Sequence, residues 1–356
     1  MKITIIGPYP PPIGGISIHI KRLKRFLYNN GLKVKVLNEE TYINISENII
    51  PLNGYKNLFK LLRKDNSELI HFHTINKYIR SLLWLIKIIF KKKIVLTIHG
   101  QSMVNQYKNS NIFIRKMLIK TLNDIDATIF VDKNNLNFFD KIVKNRDKLK
   151  YINPFIFPCI SENNIERPNL KSFFNNNDFK ILMSGNIRFF EGKELYGFKS
   201  MINATKKLKE KGENIKVLMI IMESNNQSIE EKEYYKFIKK QVLDNELQNY
   251  IFFYEPINEE IFDLFGKVNL FVRPTIVDGF GISLAESIYM KTPAIATDVC
   301  IRPNGTILYH DNEELANIIY NVKNNYDYYK NSLDNIKIQD SSKDILELYN
   351  NLLKKV

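Results

Sequence analysis

Short apolar runs alternate with longer amphipathic stretches along the whole chain. The apolar runs are rich in Ile, Leu and Val, which is typical of parallel strands buried on both faces. The stretches between them carry apolar residues at helical spacing. The pattern predicts strands at 2–6, 33–37, 69–72, 94–98, 127–131 and 149–152, and again at 180–184, 216–222, 251–254, 270–272, 294–296 and 306–309. We therefore expect two α/β units, each with a parallel sheet between layers of helices.

The alternation stops between residues 153 and 178. This stretch contains Pro154, Pro158 and Pro168 and a run of three asparagines at 175–177, a composition typical of a connection between domains. We predict a first domain at 1–165, a second at 166–339 and a separate last helix at 340–356. A chain of 356 residues is long enough for two such domains.

The charge is unevenly distributed. Residues 1–165 carry 27 Lys and Arg against 11 Asp and Glu, whereas the remaining residues carry 25 against 27. The basic excess indicates an anionic partner for the first half. Charge alone also allows a non-enzymatic binder of anionic polymers, but no nucleic-acid motif is present and we expect no nucleic-acid partner. Two cysteines, Cys159 and Cys300, and no cluster at metal spacing indicate a reducing cytoplasm and no structural metal. No apolar run is long enough to predict a transmembrane segment.

The most informative stretch is 269–297. Strand-like residues end at Arg273-Pro274, a glycine-rich turn follows, and helical spacing resumes at Ser283. Such a turn presents free backbone N–H groups at a helix start, where anions bind. Asp278 precedes the turn and Glu286 lies eight positions later. Two carboxylates beside an anion site suit a ligand that is part phosphate and part polyol, such as a nucleotide sugar.

The two carboxylates, the glycine turn between them and the later segment from Lys291-Thr292-Pro293 to Thr297 resemble the E-x7-E signature of retaining glycosyltransferases of the GT-B type, family 4. Asp278 stands where the first glutamate is usual. The resemblance implies two Rossmann-like domains facing each other across a cleft, with the last helix crossing back to the first domain. It also implies transfer of a sugar from a UDP- or GDP-linked donor to a hydroxyl of a lipid-linked or polymeric glycan, with no obligatory cofactor or metal.

The resemblance also implies roles for residues of the second half. Asp278 would bond sugar hydroxyls, Glu286 would bind the ribose, and the turn Gly279-Phe280-Gly281 with Ile282 and Ser283 would hold phosphate. Arg188 and Lys193 would neutralise the departing diphosphate, although the lysine expected before Gly192 is Glu191 here. The nucleotide base would lie against Tyr254, Pro256 and Ile257, with Glu255 where glycine is frequent.

In the first half, Gly14-Gly15 follows the first strand and opens a helix, which places a close-approach turn beside the donor phosphates in the resembled family. His99 follows a predicted strand and would lie against the donor sugar. His73 is a second candidate, lining the acceptor side. An isolated histidine at a strand end can equally have a core or capping role.

One helix of the basic half suggests a membrane surface. Residues spaced three or four apart form a cationic stripe with the only tryptophan: Lys77, Arg80, Trp84, Lys87 and Lys91. Such a stripe suits anionic lipid headgroups, while a solvated face of an ordinary Rossmann helix is the alternative. We expect a cytoplasmic enzyme, peripheral at the inner face of the cell membrane, in bacterial capsule, lipopolysaccharide or other surface-polysaccharide synthesis. A nucleotide-sugar epimerase of the same fold is the second candidate.

Overall fold

The computed structural model describes residues 1–40, 48–100, 102–158, 166–311 and 313–354. The chain divides into two compact units, unit 1 (Met1–Phe157 with Gln339–Val356) and unit 2 (Pro158–Ile338). The domain boundary expected near residue 165 falls within 159–165, outside the described residues, as does Cys159.

Unit 1 is built on a seven-stranded parallel sheet with strand order β3-β2-β1-β4-β5-β6-β7. The strands are β1 Lys2–Gly7, β2 Lys33–Asn38, β3 Ile49–Pro51, β4 Leu69–Phe72, β5 Lys93–Ile98, β6 Ala127–Phe130 and β7 Leu149–Tyr151. The helices that follow in the chain are α1 Gly15–Asn29, α2 Tyr55–Lys64, α3 Lys77–Phe90, α4 Ser102–Lys108, α5 Ile112–Asp124 and α6 Lys133–Asp140. All six predicted strands are present. The short edge strand β3 was not predicted.

Unit 2 repeats the arrangement with a six-stranded parallel sheet in the order β12-β11-β8-β13-β14-β15. Its strands are β8 Phe179–Gly185, β11 Ile215–Ile221, β12 Ile251–Tyr254, β13 Leu270–Arg273, β14 Ala294–Thr297 and β15 Thr306–Tyr309, and a small hairpin adds β9 Phe189–Phe190 and β10 Lys193–Glu194. Its helices are α7 Lys171–Phe174, α8 Phe198–Glu210, α9 Ile229–Asp244, α10 Phe262–Phe265, α11 Ile282–Tyr289, α12 Leu315–Asn324 and α13 Tyr326–Ser332.

The helices follow from local sequence signals as well as from apolar spacing. At the start of α9, the Ser228 hydroxyl accepts from the Glu231 N–H and the Glu231 carboxylate accepts from the Ser228 N–H, which is a complete capping box. At the start of α3, the Asn76 side chain accepts from the N–H groups of Tyr78 and Ile79. Apolar residues cover both faces of each sheet and form the cores.

The last helix, α14 (Ser342–Leu353), belongs to unit 1 although the chain reaches it only after unit 2. It buries Ile345 and Tyr349 completely in the core that also contains Ile3, Leu23 and Val95. The Ser341 hydroxyl before the helix donates to the Phe155 carbonyl and fixes its start. The helix was expected over 340–356, and residues 355 and 356 lie outside the described part.

The cationic stripe predicted on α3 is interrupted, because Arg80 is not at the surface, and this part of the prediction was wrong. Arg80 is fully buried and donates to the Thr74 carbonyl and to the side chains of Ser102 and Gln106. Lys87 forms an ion pair with Asp126, and Trp84 is half-buried with the Lys120 ammonium 4.5 Å from its ring centroid. The face therefore packs toward α4 and α5. None of the helices in the described part of the chain combines the length and hydrophobicity that crossing a membrane requires.

Candidate functional site

The connection between β13 and α11 places the turn of unit 2 as the sequence suggested. After Arg273 the chain leaves the sheet, passes Asp278 and Gly281, and enters α11 at Ile282. Gly281 has φ +85°, and a Cβ atom there would lie 2.7 Å from the Leu284 side chain. Only glycine fits this position without strain. The first N–H groups of α11 have no partner within the helix and point out of its N-terminus.

Asp278 is held by two arginines. Its Oδ2 accepts from Arg273 Nε and from Arg302 Nη1, each at 2.6 Å, and its Oδ1 accepts from the Gly279 N–H at 2.9 Å. Burial raises the pKa of Asp278, but the charges and hydrogen bonds of the two guanidinium groups outweigh it and hold the pKa well below its usual range. Asp278 is therefore ionised at all ordinary pH values. Arg302 had no role in the sequence interpretation.

Glu286 lies on the second turn of α11, and only 8% of its surface is exposed. The same helix therefore carries the second carboxylate of the motif, and its N-terminus borders the first. Whether these groups bind ribose and sugar stays a prediction.

Arg188, which was predicted to neutralise a diphosphate, follows β8 at the carboxyl end of the sheet of unit 2. Its guanidinium is already paired, with Glu231 at 2.8 Å and Glu223 at 3.4 Å. Asn186 also donates to Glu223. Burial opposes the charge of Arg188, but these two carboxylates raise its pKa. Two negative charges thus offset the one cation. Lys193 lies exposed in the β9–β10 hairpin.

The loop predicted to hold the base follows β12, which ends at Tyr254. Glu255 accepts from the Tyr235 hydroxyl at 2.7 Å and from Lys239 at 3.2 Å, so its side chain turns toward α9. Pro256 is buried and Ile257 is 68% exposed. The side chain that departs from the family pattern is thereby occupied by protein partners.

In unit 1, Gly14 is the N-cap of α1 and Gly15 its first residue. The Ser17 hydroxyl accepts from the Gly14 N–H at 2.9 Å and closes this turn. A Cβ atom on Gly15 would meet no heavy atom within 4 Å. The space beside Gly15 is open, as a close-approach site for a ligand requires.

Four of the five histidines of the chain form one cluster beside this turn: His19, His71, His73 and His99. The ring centroids of neighbouring members lie 4.1 to 5.3 Å apart. The two predicted members, His73 and His99, share a hydrogen bond of 3.0 Å between Nδ1 and Nε2. In the described residues no group of His, Cys, Asp or Glu has a metal-binding arrangement.

The partners of His19 and His71 explain their roles. His19, which sequence reasoning missed, donates from Nδ1 to the Pro154 carbonyl at 2.9 Å and leaves Nε2 buried without a partner in the described structure. Its signal was its place one turn into the helix that the glycine turn opens. His71 bonds the Tyr349 hydroxyl and Thr97 and is a core residue.

The cluster is uncharged at neutral pH. Burial lowers the pKa of His19 from 6.5 to about 4, and it lowers the pKa values of His71, His73 and His99 well below 6.5, helped by repulsion among the rings. Neutral imidazoles can donate and accept hydrogen bonds but carry no charge toward a ligand.

Comparison with known proteins supplies the family context. Residues 166–332 match the family described as "Glycosyl transferases group 1". No curated protein sequence shows a significant match. Among solved structures, sucrose-phosphate synthase from Thermosynechococcus elongatus superposes with a TM-score of 0.75 at 16% identity and covers 99% of both chains.

Two further structures share the fold over the full length. Anabaena HepE in complex with UDP matches with a TM-score of 0.69 at 14% identity and covers 99% of this chain and 100% of its own. WaaG, a glycosyltransferase involved in lipopolysaccharide biosynthesis, matches with a TM-score of 0.69 at 12% identity and covers 100% of both. At these identities the likeness shows the fold. Taken with the family match of unit 2, it identifies the chain as a glycosyltransferase with the GT-B fold.

Proposed function

We propose that the enzyme transfers a sugar, with retention of configuration, from a UDP- or GDP-linked donor to a hydroxyl of a lipid-linked or polymeric glycan. The observation that carries the proposal is the β13–α11 connection. It joins an ionised carboxylate, a glycine-only turn, a helix N-terminus and a buried glutamate within nine residues, Asp278 to Glu286. A phosphate suits the helix N-terminus, and hydroxyl groups suit carboxylates.

The proposal places the nucleotide on unit 2 and the acceptor on unit 1. HepE, which shares the fold, binds UDP, and WaaG acts in lipopolysaccharide synthesis. These precedents favour a uridine nucleotide and a bacterial surface glycan. No step of this proposal requires a metal ion.

The first experiment is a thermal-shift screen with UDP, GDP, ADP and their sugar conjugates. A ligand that binds only the native state raises the melting temperature, by an amount that grows with its concentration relative to Kd. We expect one nucleotide family to produce the shift and its sugar conjugate to support transfer to lipid-linked glycans. Isomerisation of the donor sugar without transfer would support the epimerase, and no shift with any nucleotide would contradict both.

Glu286→Gln should lower kcat/KM by roughly 10- to 100-fold. A hydrogen bond to a charged group contributes about 1.5–3 kcal/mol, and losing it lowers kcat/KM by a factor of this size. Glutamine keeps the volume of this 8% exposed side chain, so the fold should be retained. Steady-state kinetics and melting temperature are the measurements. Glu210→Gln, at the exposed last residue of α8, is the control and should be neutral. Wild-type kinetics in Glu286→Gln would contradict the donor site.

We propose further that unit 1 contacts an anionic membrane, by a face that differs from the one the sequence suggested. Near α4, four large apolar side chains are 56–72% exposed: Ile75, Tyr78, Ile112 and Phe113. Gln106 on α4 donates to the Ile75 carbonyl, and Arg115 on α5 donates to the Lys108 carbonyl at the end of α4. α4 thus connects both pairs. We call these four residues the α4 patch. The Lys77 ammonium lies 5.2 Å from the ring centroid of Tyr78, and Lys108 and Lys116 flank Ile112 and Phe113 in the sequence, so cations accompany the patch.

The double variant Ile112→Ser/Phe113→Ser should reduce binding to vesicles containing anionic lipid by roughly tenfold or more. Each of these side chains would contribute about 1.5–3 kcal/mol if it became buried in the lipid. Co-sedimentation with vesicles measures it. Ile88→Ser/Ile89→Ser is the matched control, since these residues near the other end of α3 are also more than half exposed. Equal loss in both pairs would contradict the α4 patch as the contact.

A further inference from the structure

Asp278 is one methylene shorter than the glutamate of the resembled motif. A carboxylate accepts about four hydrogen bonds, and the chain itself already fills three of these positions. Arg273 and Arg302 occupy Oδ2, and the Gly279 N–H occupies one position of Oδ1. One acceptor position remains for a ligand. The main role of Asp278 is therefore toward the two arginines.

Arg302 is fixed at several points. It lies on the connection between β14 and β15, and its side chain is only 2% exposed. Its Nε donates to the Thr297 carbonyl at 3.0 Å and its Nη2 to the Thr297 hydroxyl at 3.3 Å. The Thr297 hydroxyl in turn donates to the Thr275 carbonyl. This chain of contacts fixes the guanidinium before any ligand arrives.

The position of this guanidinium relates it to the turn. Arg302 Nη1 lies 3.1 Å from where a Cβ atom on Gly281 would be, so it borders the residue that caps α11. Arg273 also reaches the first turn of α11, since its Nη1 donates to the Ser283 hydroxyl at 3.3 Å. Both arginines therefore adjoin the N-terminus of α11, where the proposed function places phosphate.

The net charge around Asp278 and the net charge around Arg188 have opposite signs. Two arginines around Asp278 leave a net charge of one positive unit at the start of α11. The other loop offers Arg188 to the donor, but Glu223 and Glu231 leave it with a net charge of one negative unit. A departing nucleoside diphosphate develops negative charge, and a preorganised cation near it lowers the barrier. Of these two ion-pair groups, the Asp278 group is the one with a net positive charge, which is the sign that a leaving diphosphate requires.

We propose that Arg302 is a positioning residue for the transfer: with Arg273 it holds Asp278 in a shared ion pair, whose net positive charge at the start of α11 stabilises the leaving diphosphate in place of Arg188. This inference rests on the proposed function. It makes Asp278 the fixed counter-ion of two arginines and leaves only its last acceptor position for a sugar hydroxyl.

The assignment has a consequence for the residue that the family pattern would restore. Asp278→Glu adds a methylene inside a group whose partners are fixed, because Arg302 is held by Thr297 and the Asp278 side chain is only 13% exposed. The longer carboxylate must displace one guanidinium. We expect Asp278→Glu to lower activity. If the carboxylate at this position only bound a sugar, activity would instead be retained or raised by glutamate.

The test compares Arg302→Met, Arg302→Lys and Arg188→Met in the full-length protein, by donor kinetics, UDP and GDP titration calorimetry, and melting temperature. We expect Arg302→Met to lower kcat/KM by roughly 100-fold, mainly through kcat, and Arg188→Met to lower it less. Lysine keeps the charge but loses the fork geometry, so Arg302→Lys should restore part of kcat. A larger loss in Arg188→Met than in Arg302→Met would overturn the inference.

The pH profile supplies a readout that a purely structural role would not move. The charged or titratable groups around Asp278 and Arg273 are Arg302, Tyr196 and Cys300. Losing one guanidinium raises the pKa of the buried Asp278, so kcat/KM of Arg302→Met should fall on acidification where that of the wild type does not. Adding Asp278→Asn to Arg302→Met should remove this fall of kcat/KM on acidification. A pH profile of folded Arg302→Met that matches that of the wild type would overturn the inference, as would a fall that persists after Asp278→Asn is added. Should Arg302→Met not fold, Arg302→Lys decides: a kcat equal to that of the wild type would overturn the inference, because lysine loses the fork geometry. If the wild type neither binds nucleotide nor transfers sugar, the proposed function fails instead.

Discussion

Acidification from pH 7 to pH 5 should lower the free energy of unfolding of unit 1 by several kcal/mol. The four clustered histidines stay neutral in the folded state because burial lowers their pKa values, that of His19 to about 4. In the unfolded chain they protonate near pH 6.5. As the pH falls below 6.5, the unfolded state binds more protons than the native state, so stability decreases. For His19, whose pKa in the folded state is about 4, the loss at pH 5 is about 2 kcal/mol, and His71, His73 and His99 lower the stability in the same direction.

Urea unfolding followed by tryptophan fluorescence measures this loss in the correct unit, because the single tryptophan, Trp84, lies in unit 1. His19→Asn is the matched variant. Its amide can donate to the Pro154 carbonyl as the imidazole does, but it does not titrate. The variant should lose about 2 kcal/mol less than the wild type between pH 7 and pH 5. Carboxylates that titrate in both proteins cancel in this difference. Equal losses would show that His19 is protonated in the native state.

Tyr349→Ala should destabilise unit 1 by about 3–5 kcal/mol, the usual cost of removing a large buried side chain. Tyr349 is fully buried, its hydroxyl bonds His71 Nδ1, and its ring meets the His71 ring edge-on at 5.7 Å. Removing it leaves both a cavity and a buried nitrogen without its partner. The midpoint of urea unfolding, again read from Trp84, is the measurement.

Two variants separate the contributions of Tyr349. Tyr349→Phe keeps the packing and removes only the hydrogen bond, so we expect a loss of about 1–2 kcal/mol. Tyr320→Ala on α12 removes a tyrosine that is 40% exposed and lies in unit 2, so the Trp84 transition should not change. If Tyr349→Ala also left this transition unchanged, α14 would not contribute to the stability of unit 1.

The strands were predictable because a parallel strand buried on both faces is itself a short apolar run. β5 and β11 show this, since almost every residue of each is buried. β3 escaped prediction because it is a three-residue edge strand that ends in Pro51. The hairpin of β9 and β10 escaped because a two-residue strand has no periodicity to detect.

The candidate site also contains residues that the sequence predicts and partners that it does not. Asp278, Gly281 and Glu286 are close in sequence, and glycine has a conformational role that local reasoning detects. The partners that decide the chemistry come from distant segments. Arg302 reaches Asp278 across 24 positions, and His19 reaches Pro154 across 135. A single sequence contains no signal for such pairings.

The error on α3 has a specific cause. Helical spacing correctly placed Arg80 and Trp84 on one face. It could not tell which neighbour covers that face, because the covering residues, Ser102, Gln106 and Lys120, lie on later helices. The Nε and Nη1 atoms of the buried Arg80 guanidinium donate hydrogen bonds whose acceptors only the tertiary structure reveals.

The place of α14 in unit 1 determines the order in which the protein can be completed during synthesis. A ribosome releases the first 157 residues of unit 1 and then all of unit 2 before it makes Ser342–Leu353. Until then the growing chain exposes the apolar surface that Ile345 and Tyr349 later cover. Unit 2 can fold as one continuous piece while unit 1 waits. The histidine cluster of unit 1, through the bond of His71 to Tyr349, gains this contact only after all of unit 2 has been made.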